Sequence, residues 1–319
     1  MTLISKDISL AVTLLNQENC IGFPTETVYG LAGNIYSKKA ITSIFETKKR
    51  PKFNPLIVHI AKISDLETIA KDIPKKALQL ASAFWPGPLT LLLNKKWEVP
   101  DLITAGKSTV AVRIPNHKMA LDILNAIDFP LAAPSANPFG SISPTTAQHV
   151  ADYFPTEIKA VFDGGECENG IESTIIGFEN NEVIIYRLGA ISIEDIEAAV
   201  GKTTAFLSDD RAPIAPGMIK KHYAPKTNFI VTDNVYDEVL KNKNRKIGIL
   251  SFNINYRSED IKSLEILSES KNFKEASKKL YAAMHRLDNQ NLDIIIAEIF
   301  PNYDLGKSIN DRLKRAAEK

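Results

Sequence analysis

The chain has 319 residues, of which 44% are hydrophobic and 24% charged, and its formal net charge is +1. That balance describes one or two globular domains with a substantial core and excludes a disordered or fibrous chain. The near-zero charge excludes a global field drawing the protein to nucleic acid or membrane, and two cysteines far apart, Cys20 and Cys167, make no disulfide framework or zinc ribbon and point to a reducing compartment.

Met1 to Cys20 holds only short apolar runs broken by Lys6, Asp7 and Glu18, unlike a signal peptide. No window approaches the ~18 apolar residues of a membrane helix, so no membrane partner is expected and the chain is expected in the cytoplasm. From Cys20 to about Val200, apolar runs predict strands over Leu89–Leu93, Val110–Ile114, Leu131–Ala133, Ile175–Phe178 and Val183–Tyr186. Helical periodicity covers Ser37–Thr47, Lys75–Phe84, Lys118–Ala126, Thr145–Phe154 and Ser192–Val200, the last opened by a Ser192/Asp195 capping box. Thr145, after Pro144, is expected to open its helix. This is an α/β domain with a mixed sheet.

After Gly201 comes Ser208 to Pro225, with Pro213, Pro216 and Pro225 and little periodicity, which reads as a linker or lid. Beyond it, strands over Asn228–Thr232, Lys246–Phe252, Ser263–Leu267 and Leu292–Ile299 alternate with helices over Val235–Lys241, Asn272–Leu287 and Gly306–Ala317. That pattern suggests a small Rossmann-like, doubly wound α/β unit. The expected domains are residues 1–204, a linker or lid at 205–226, and 227–319.

Three Gly-Lys-Ser/Thr tripeptides, starting at Gly106, Gly201 and Gly306, lack the glycine five residues earlier that a phosphate loop needs. The five histidines have no metal-ligand spacing, so no protein-held metal is expected. What remains is a set of polar clusters. Pro24–Gly30 follows a strand and is more polar than a plain turn requires. Lys48-Lys49-Arg50-Pro51-Lys52 places four cations in five residues, either a solvated helix end or a polyphosphate clamp. Arg113 lies in an apolar strand on the face of Thr109 and Ala111, either ion-paired or a fork for a carboxylate or phosphate. Pro134-Ser135-Ala136-Asn137 and Ser143-Pro144-Thr145-Thr146 suit an anion before a helix. Glu172-Ser173-Thr174 enters a strand, and Arg187 ends the next. Pro216-Gly217-Met218 and His222-Tyr223-Ala224-Pro225 mark the linker.

In this order, and with Asn54-Pro55-Leu56, His59, Trp85–Thr90, Val112–Pro115 and Asp311-Arg312-Leu313, the runs resemble the threonylcarbamoyl-AMP synthases of the YrdC-like family. The likeness covers nearly the whole chain and is to the long form with a C-terminal domain. Phe139, Gly177, Leu188 and Ile219 depart from the usual pattern without touching a ligand position. The resemblance implies an open, twisted mixed-sheet domain with a positively lined cavity. It also implies synthesis of threonylcarbamoyl-AMP and pyrophosphate from L-threonine, bicarbonate and ATP with Mg²⁺. The product would pass to a separate transferase complex that modifies tRNA; stable tRNA binding is not implied. By the same resemblance Thr27, His59, Arg113, the backbone at Ala133, and Ser173 hold threonine. Lys48, Arg50, Asn54, Thr109, Ser135, Ser143, Arg187 and Tyr223 hold ATP, and Lys48, Arg50 and Arg113 carry the catalytic charge. The rival reading is a non-catalytic RNA-binding module with a basic cavity.

Overall fold

The computed structural model describes residues 1–180, 182–205 and 222–318. Of the expected lid, residues 206–221 lie outside the described residues. The strands are β1 (Leu3–Ser5), β2 (Ile21–Phe23), β3 (Gly30–Asn34), β4 (Ile57–His59), β5 (Leu89–Asn94), β6 (Thr109–Arg113), β7 (Leu131–Ala132), β8 (Ala160–Phe162), β9 (Thr174–Glu179), β10 (Glu182–Arg187), β11 (Thr204–Ala205), β12 (Asn228–Thr232), β13 (Ile247–Ser251), β14 (Ile261–Ile266) and β15 (Ile294–Glu298). Among the described residues the first eleven form one mixed sheet in the order β1-β8-β2-β3-β7-β4-β6-β5-β9-β10-β11. The last four form a second sheet, β12-β15-β13-β14, parallel throughout. This is the expected pair of architectures. No described helix is long and apolar enough to cross a membrane.

The expected helices form with small shifts. Ser192 caps Ile193–Val200, accepting from the Asp195 N–H at 3.1 Å while its hydroxyl donates to the Asp195 carboxylate at 2.8 Å. The helix Ala147–Tyr153 is opened by Thr146 rather than Thr145, because the Thr146 hydroxyl accepts the His149 N–H. The first twenty residues, which carry no clear period, hold β1 and a helix over Ile8–Asn16. Asp7 starts that helix by accepting from the Ser9 and Leu10 N–H groups.

Period-two alternation divides the large sheet. Leu31, Val58, Leu91, Val110, Val112 and Ile176 face the main core under the helices Lys38–Lys48 and Lys75–Phe84. Ile57, Leu92, Ala111, Ile175 and Ile184 form a separate cluster on the opposite face. By the same parity His59, Arg113 and Ser173 belong to that second face. The two units meet closely. Gly170, at φ +70°, has no room for a Cβ, which would lie 2.3 Å from the Lys278 carbonyl oxygen in the C-terminal helix Phe273–Asp288. Val28, Ile142 and Ile171 share an apolar cluster with Tyr223, Leu280 and Tyr281.

Candidate active site

His59 ends β4 and Arg113 ends its parallel neighbour β6, and the two residues pair in register. Both are buried. Arg113 donates from Nη1 to Thr27 Oγ1 at 2.8 Å and from Nε to the Gly87 carbonyl at 3.3 Å. Its Nη2 lies 2.6 Å from Glu26 Oε1, off the hydrogen-bonding axis, so among the described residues the Glu26 carboxylate has an ion pair but accepts no hydrogen bond. The ion-pair reading of Arg113 is therefore met within the chain, and the side chain still lines a cavity. Thr27 is held by its turn: Thr25 Oγ1 accepts the Thr27 N–H at 3.2 Å and donates to the Val28 carbonyl at 2.7 Å. Burial, then the Arg113 charge, pulls His59 down to about 3, so its imidazole is neutral near pH 7, and its Nδ1 has no partner among the described residues. The Ser173 and Thr90 hydroxyls hydrogen-bond to each other at 2.7 Å.

The opposite wall is cationic. The helix Lys38–Lys48 stops because Lys49 turns left-handed at φ 51°. Arg50 follows, its Nε donating to the Asn54 carbonyl at 3.2 Å and its Nη2 to the Pro55 carbonyl at 2.8 Å. Burial, then the neighbouring Arg187, lowers Arg50 to about 9. Arg187 reaches the same cavity through a β-bulge: the register slips between Ile185 and Arg187, which brings Arg187 opposite Ile175 on the cavity face. Its guanidinium donates to the Ser173 carbonyl at 2.8 Å and to Ser173 Oγ at 3.0 Å. The Arg187 charge disfavours that of Arg50, and an anion bound beside Arg50 would relieve it. Lys48 sits behind this wall, its Nζ donating to the Ser135 and Asn137 carbonyls at 2.5 Å each. Burial, then Arg50, holds its pKa well below the usual lysine value.

Together these walls line one cavity in which several polar side chains converge, the character of a small-molecule site. Thr27, His59, Arg113, Ala133, Ser173, Arg50, Ser135, Arg187 and Tyr223 all line it. Gly30 also lines it, where a Cβ would come within 3.0 Å of Ala133 Cβ. Asn54 is fully buried, and neither amide atom has a partner among the described residues. Ser143 is buried behind the cavity, its hydroxyl donating to Glu172 Oε1 at 2.7 Å. Thr109 does not join the others. It starts the strand that Arg113 ends, roughly 13 Å away along the chain, and lines a separate depression with Asp72, Pro74 and Tyr186.

Sequence reasoning left Glu172 and His222 without a role, yet both line the cavity. Burial, partly offset by Glu172, lowers His222 to about 3, and its Nδ1 has no partner among the described residues. Burial would raise the Glu172 carboxyl, but Arg312, Arg187 and the Ser143 hydroxyl outweigh it and hold the group at about 2.

Comparison with known proteins agrees with this geometry. The family model described as "Telomere recombination", which joins the Sua5, YciO and YrdC proteins, matches residues 13–189. The model "Threonylcarbamoyl-AMP synthase, C-terminal domain" matches residues 191–318. The threonylcarbamoyl-AMP synthase of Pyrococcus abyssi is 38% identical, covering 97% of this chain and 94% of its own length. That of Bacillus subtilis is also 38% identical, covering 97% and 92%. The crystal structure of P. abyssi Sua5 complexed with L-threonine superposes with a TM-score of 0.91 at 37% identity, covering 99% of this chain and 97% of that one. The full-length relatives thus define an ATP-using nucleotidyltransferase, carried here on an open mixed sheet. The chain belongs to the threonylcarbamoyl-AMP synthase family, in the long form whose product serves tRNA threonylcarbamoylation. The full-length relatives are enzymes, so the rival reading of a non-catalytic RNA-binding module is set aside.

Proposed function

We propose that the cavity is the synthase active site and that its two parts divide the substrates. Thr27, His59, Arg113, the backbone at Ala133, and Ser173 take L-threonine. Lys48, Arg50, Asn54, Ser135, Ser143, Arg187 and Tyr223 take ATP. The observation that carries this division is the pairing of Arg113 with neutral His59 on one side and of Arg50 with Arg187 on the other. The threonine complex of P. abyssi Sua5 supports the first half.

The chemistry needs no protein nucleophile. Carbon dioxide from bicarbonate adds to the free amine of threonine and gives a carbamate. A carbamate oxygen attacks the α-phosphorus of ATP, the bond to the β-phosphate oxygen breaks, and pyrophosphate leaves with that electron pair. The protein contributes alignment and charge. Arg113 forks the threonine carboxylate, and Thr27 and Ser173 offer hydroxyls to the substrate hydroxyl. Lys48 and Arg50 offset charge on the leaving pyrophosphate. No three His, Cys, Asp or Glu side chains converge among the described residues to hold a metal, so Mg²⁺ is proposed to enter on the triphosphate. The product would pass, in the cytoplasm, to a separate tRNA transferase complex.

The test is direct. Pure protein with ATP, Mg²⁺, bicarbonate and L-threonine should yield threonylcarbamoyl-AMP by mass spectrometry, with one pyrophosphate released for each. Pyrophosphate or ADP release that ignores threonine would overturn the proposal.

A further inference from the structure

The C-terminal unit has a doubly wound sheet, whose ligand crevice lies beyond the carboxyl ends of its strands. Here that end is packed shut. Phe252, directly after β13, stacks on Phe273 at 5.2 Å and packs on Phe300, just beyond β15, at 4.6 Å. Glu298 at the end of β15 is engaged as well, accepting from Ser251 Oγ and the Phe252 N–H at 2.9 Å each. The unit's polar chemistry instead points at the other domain.

Two of its side chains converge on Glu172, and a third reaches Ser143 beside it. Tyr281 donates its hydroxyl across both carboxylate oxygens, at 3.2 and 3.0 Å. Arg312 Nε donates to Glu172 Oε2 at 3.0 Å, and its Nη2 donates to the Leu188 carbonyl at 2.6 Å. Both side chains are completely buried. Four residues after Tyr281, on the same helix, His285 Nε2 lies 3.2 Å from the Ser143 carbonyl. Ser143 is thereby fixed twice, by His285 at its backbone and by Glu172 at its hydroxyl. Tyr223 is held by the same group. Its ring stacks on Tyr281 at 5.5 Å, and Arg312 lies 5.3 Å over its face.

We infer that Tyr281 and Arg312 of the C-terminal unit are positioning residues for the nucleotide: through Glu172 they set Ser143, and by direct contact they set Tyr223, while the threonine side makes no direct bond to them. Thr90 and Arg187 both bind Ser173 Oγ, and the sheet holds Arg113 and His59; among the described residues no side chain of the C-terminal unit bonds a residue of the threonine side directly. The inference rests on the division of substrates proposed above.

The test compares Tyr281→Phe, Arg312→Lys and Arg312→Met in the full chain, measuring KM for ATP and for threonine separately, with melting curves to establish folding. Expected is a rise in KM for ATP of roughly tenfold for Tyr281→Phe, since a hydrogen bond to a charged group is lost, and more for Arg312→Met. KM for threonine should stay within about threefold. Arg312→Lys should recover part of the loss. Removing the guanidinium also frees the Glu172 carboxyl to titrate higher. The acid limb of kcat/KM for ATP should therefore move upward in pH in Arg312→Met and lose that shift in Arg312→Met/Glu172→Gln. A merely structural role would move neither. If Arg312→Met does not fold, Tyr281→Phe and Arg312→Lys carry the test. Folded Tyr281→Phe and Arg312→Lys with wild-type KM for ATP, or equal losses for both substrates, overturn the inference. Wild-type protein that makes no threonylcarbamoyl-AMP would instead overturn the reading of the cavity.

Discussion

Replacing Arg113 with methionine removes three contacts at once, to Glu26 at 2.6 Å, Thr27 at 2.8 Å and the Gly87 carbonyl at 3.3 Å. Two losses follow, and they must be separated. Glu26 is left as an unpaired carboxylate only 2% exposed, which costs about 3–5 kcal/mol of folding stability. Loss of the fork costs a comparable amount at the substrate carboxylate, or two to nearly four decades in kcat/KM for threonine at about 1.36 kcal/mol per decade. A second substitution tells them apart. In Arg113→Met/Glu26→Gln neither side chain is ionised, so most of the stability should return, because a buried pair replaced by neutral groups is often near break-even. Activity should not return, since no cation faces the threonine carboxylate. Urea unfolding reads the first quantity, and pyrophosphate release at saturating ATP and varied threonine reads the second. A double variant that regains wild-type kcat/KM for threonine would show that Arg113 serves only its ion pair with Glu26, and the threonine assignment would be wrong.

Lys48→Ala and Arg50→Ala should each raise KM for ATP far more than KM for threonine; equal effects on both substrates would speak against a phosphate clamp. Valine in place of threonine should be nearly inert and serine much poorer, because a site built to bind the substrate hydroxyl rejects an analogue lacking it by up to ~10⁴-fold; comparable pyrophosphate release with valine would mean the hydroxyl is not read. Acid should destabilise the protein early. His59 and His222 are pulled down to about 3 and His285 to about 4, chiefly by burial. Between about pH 4 and 6.5 the unfolded chain therefore binds more protons than the native one, so stability is complete above about 6.5 and falls as pH drops. Each histidine contributes roughly 1.36 kcal/mol per pH unit in that window. A urea midpoint that stays level from pH 7 to pH 5.5 would contradict this, and His285→Gln should flatten the slope by about one proton.

Long periodic elements were legible in the sequence, and short or paired ones were not. The helix Lys75–Phe84 carries its apolar stripe openly and falls where periodicity puts it. Strand β3, with the sequence Gly-Leu-Ala-Gly-Asn, has no β-branched residue, and pairing with β2 and β7 makes it a strand. Strands β1 and β8 have three residues each, too few to show a period. Arg113 stood out because a charge interrupts an apolar strand, whereas His59 was legible only through the family resemblance. The bulge that turns Arg187 into the cavity left no local signal, since the slip depends on its partner β9. Arg312 did leave one, an arginine on the buried stripe of Ile309, Leu313 and Ala316. Its partner Glu172 is 140 residues away, and helical spacing cannot supply such a pairing.

Strand β1 closes one end of the eleven-strand sheet with only three residues. An edge that short offers an incoming strand only a few backbone groups, too few to hold a foreign chain in register. The longer β14 edge of the small sheet carries Lys262, exposed, and Glu265, tied to Arg286 at 2.7 Å. A broad, largely apolar sheet can thus stay at high concentration without stacking edge to edge, and variants that lengthen β1 or neutralise Lys262 are the ones expected to aggregate first.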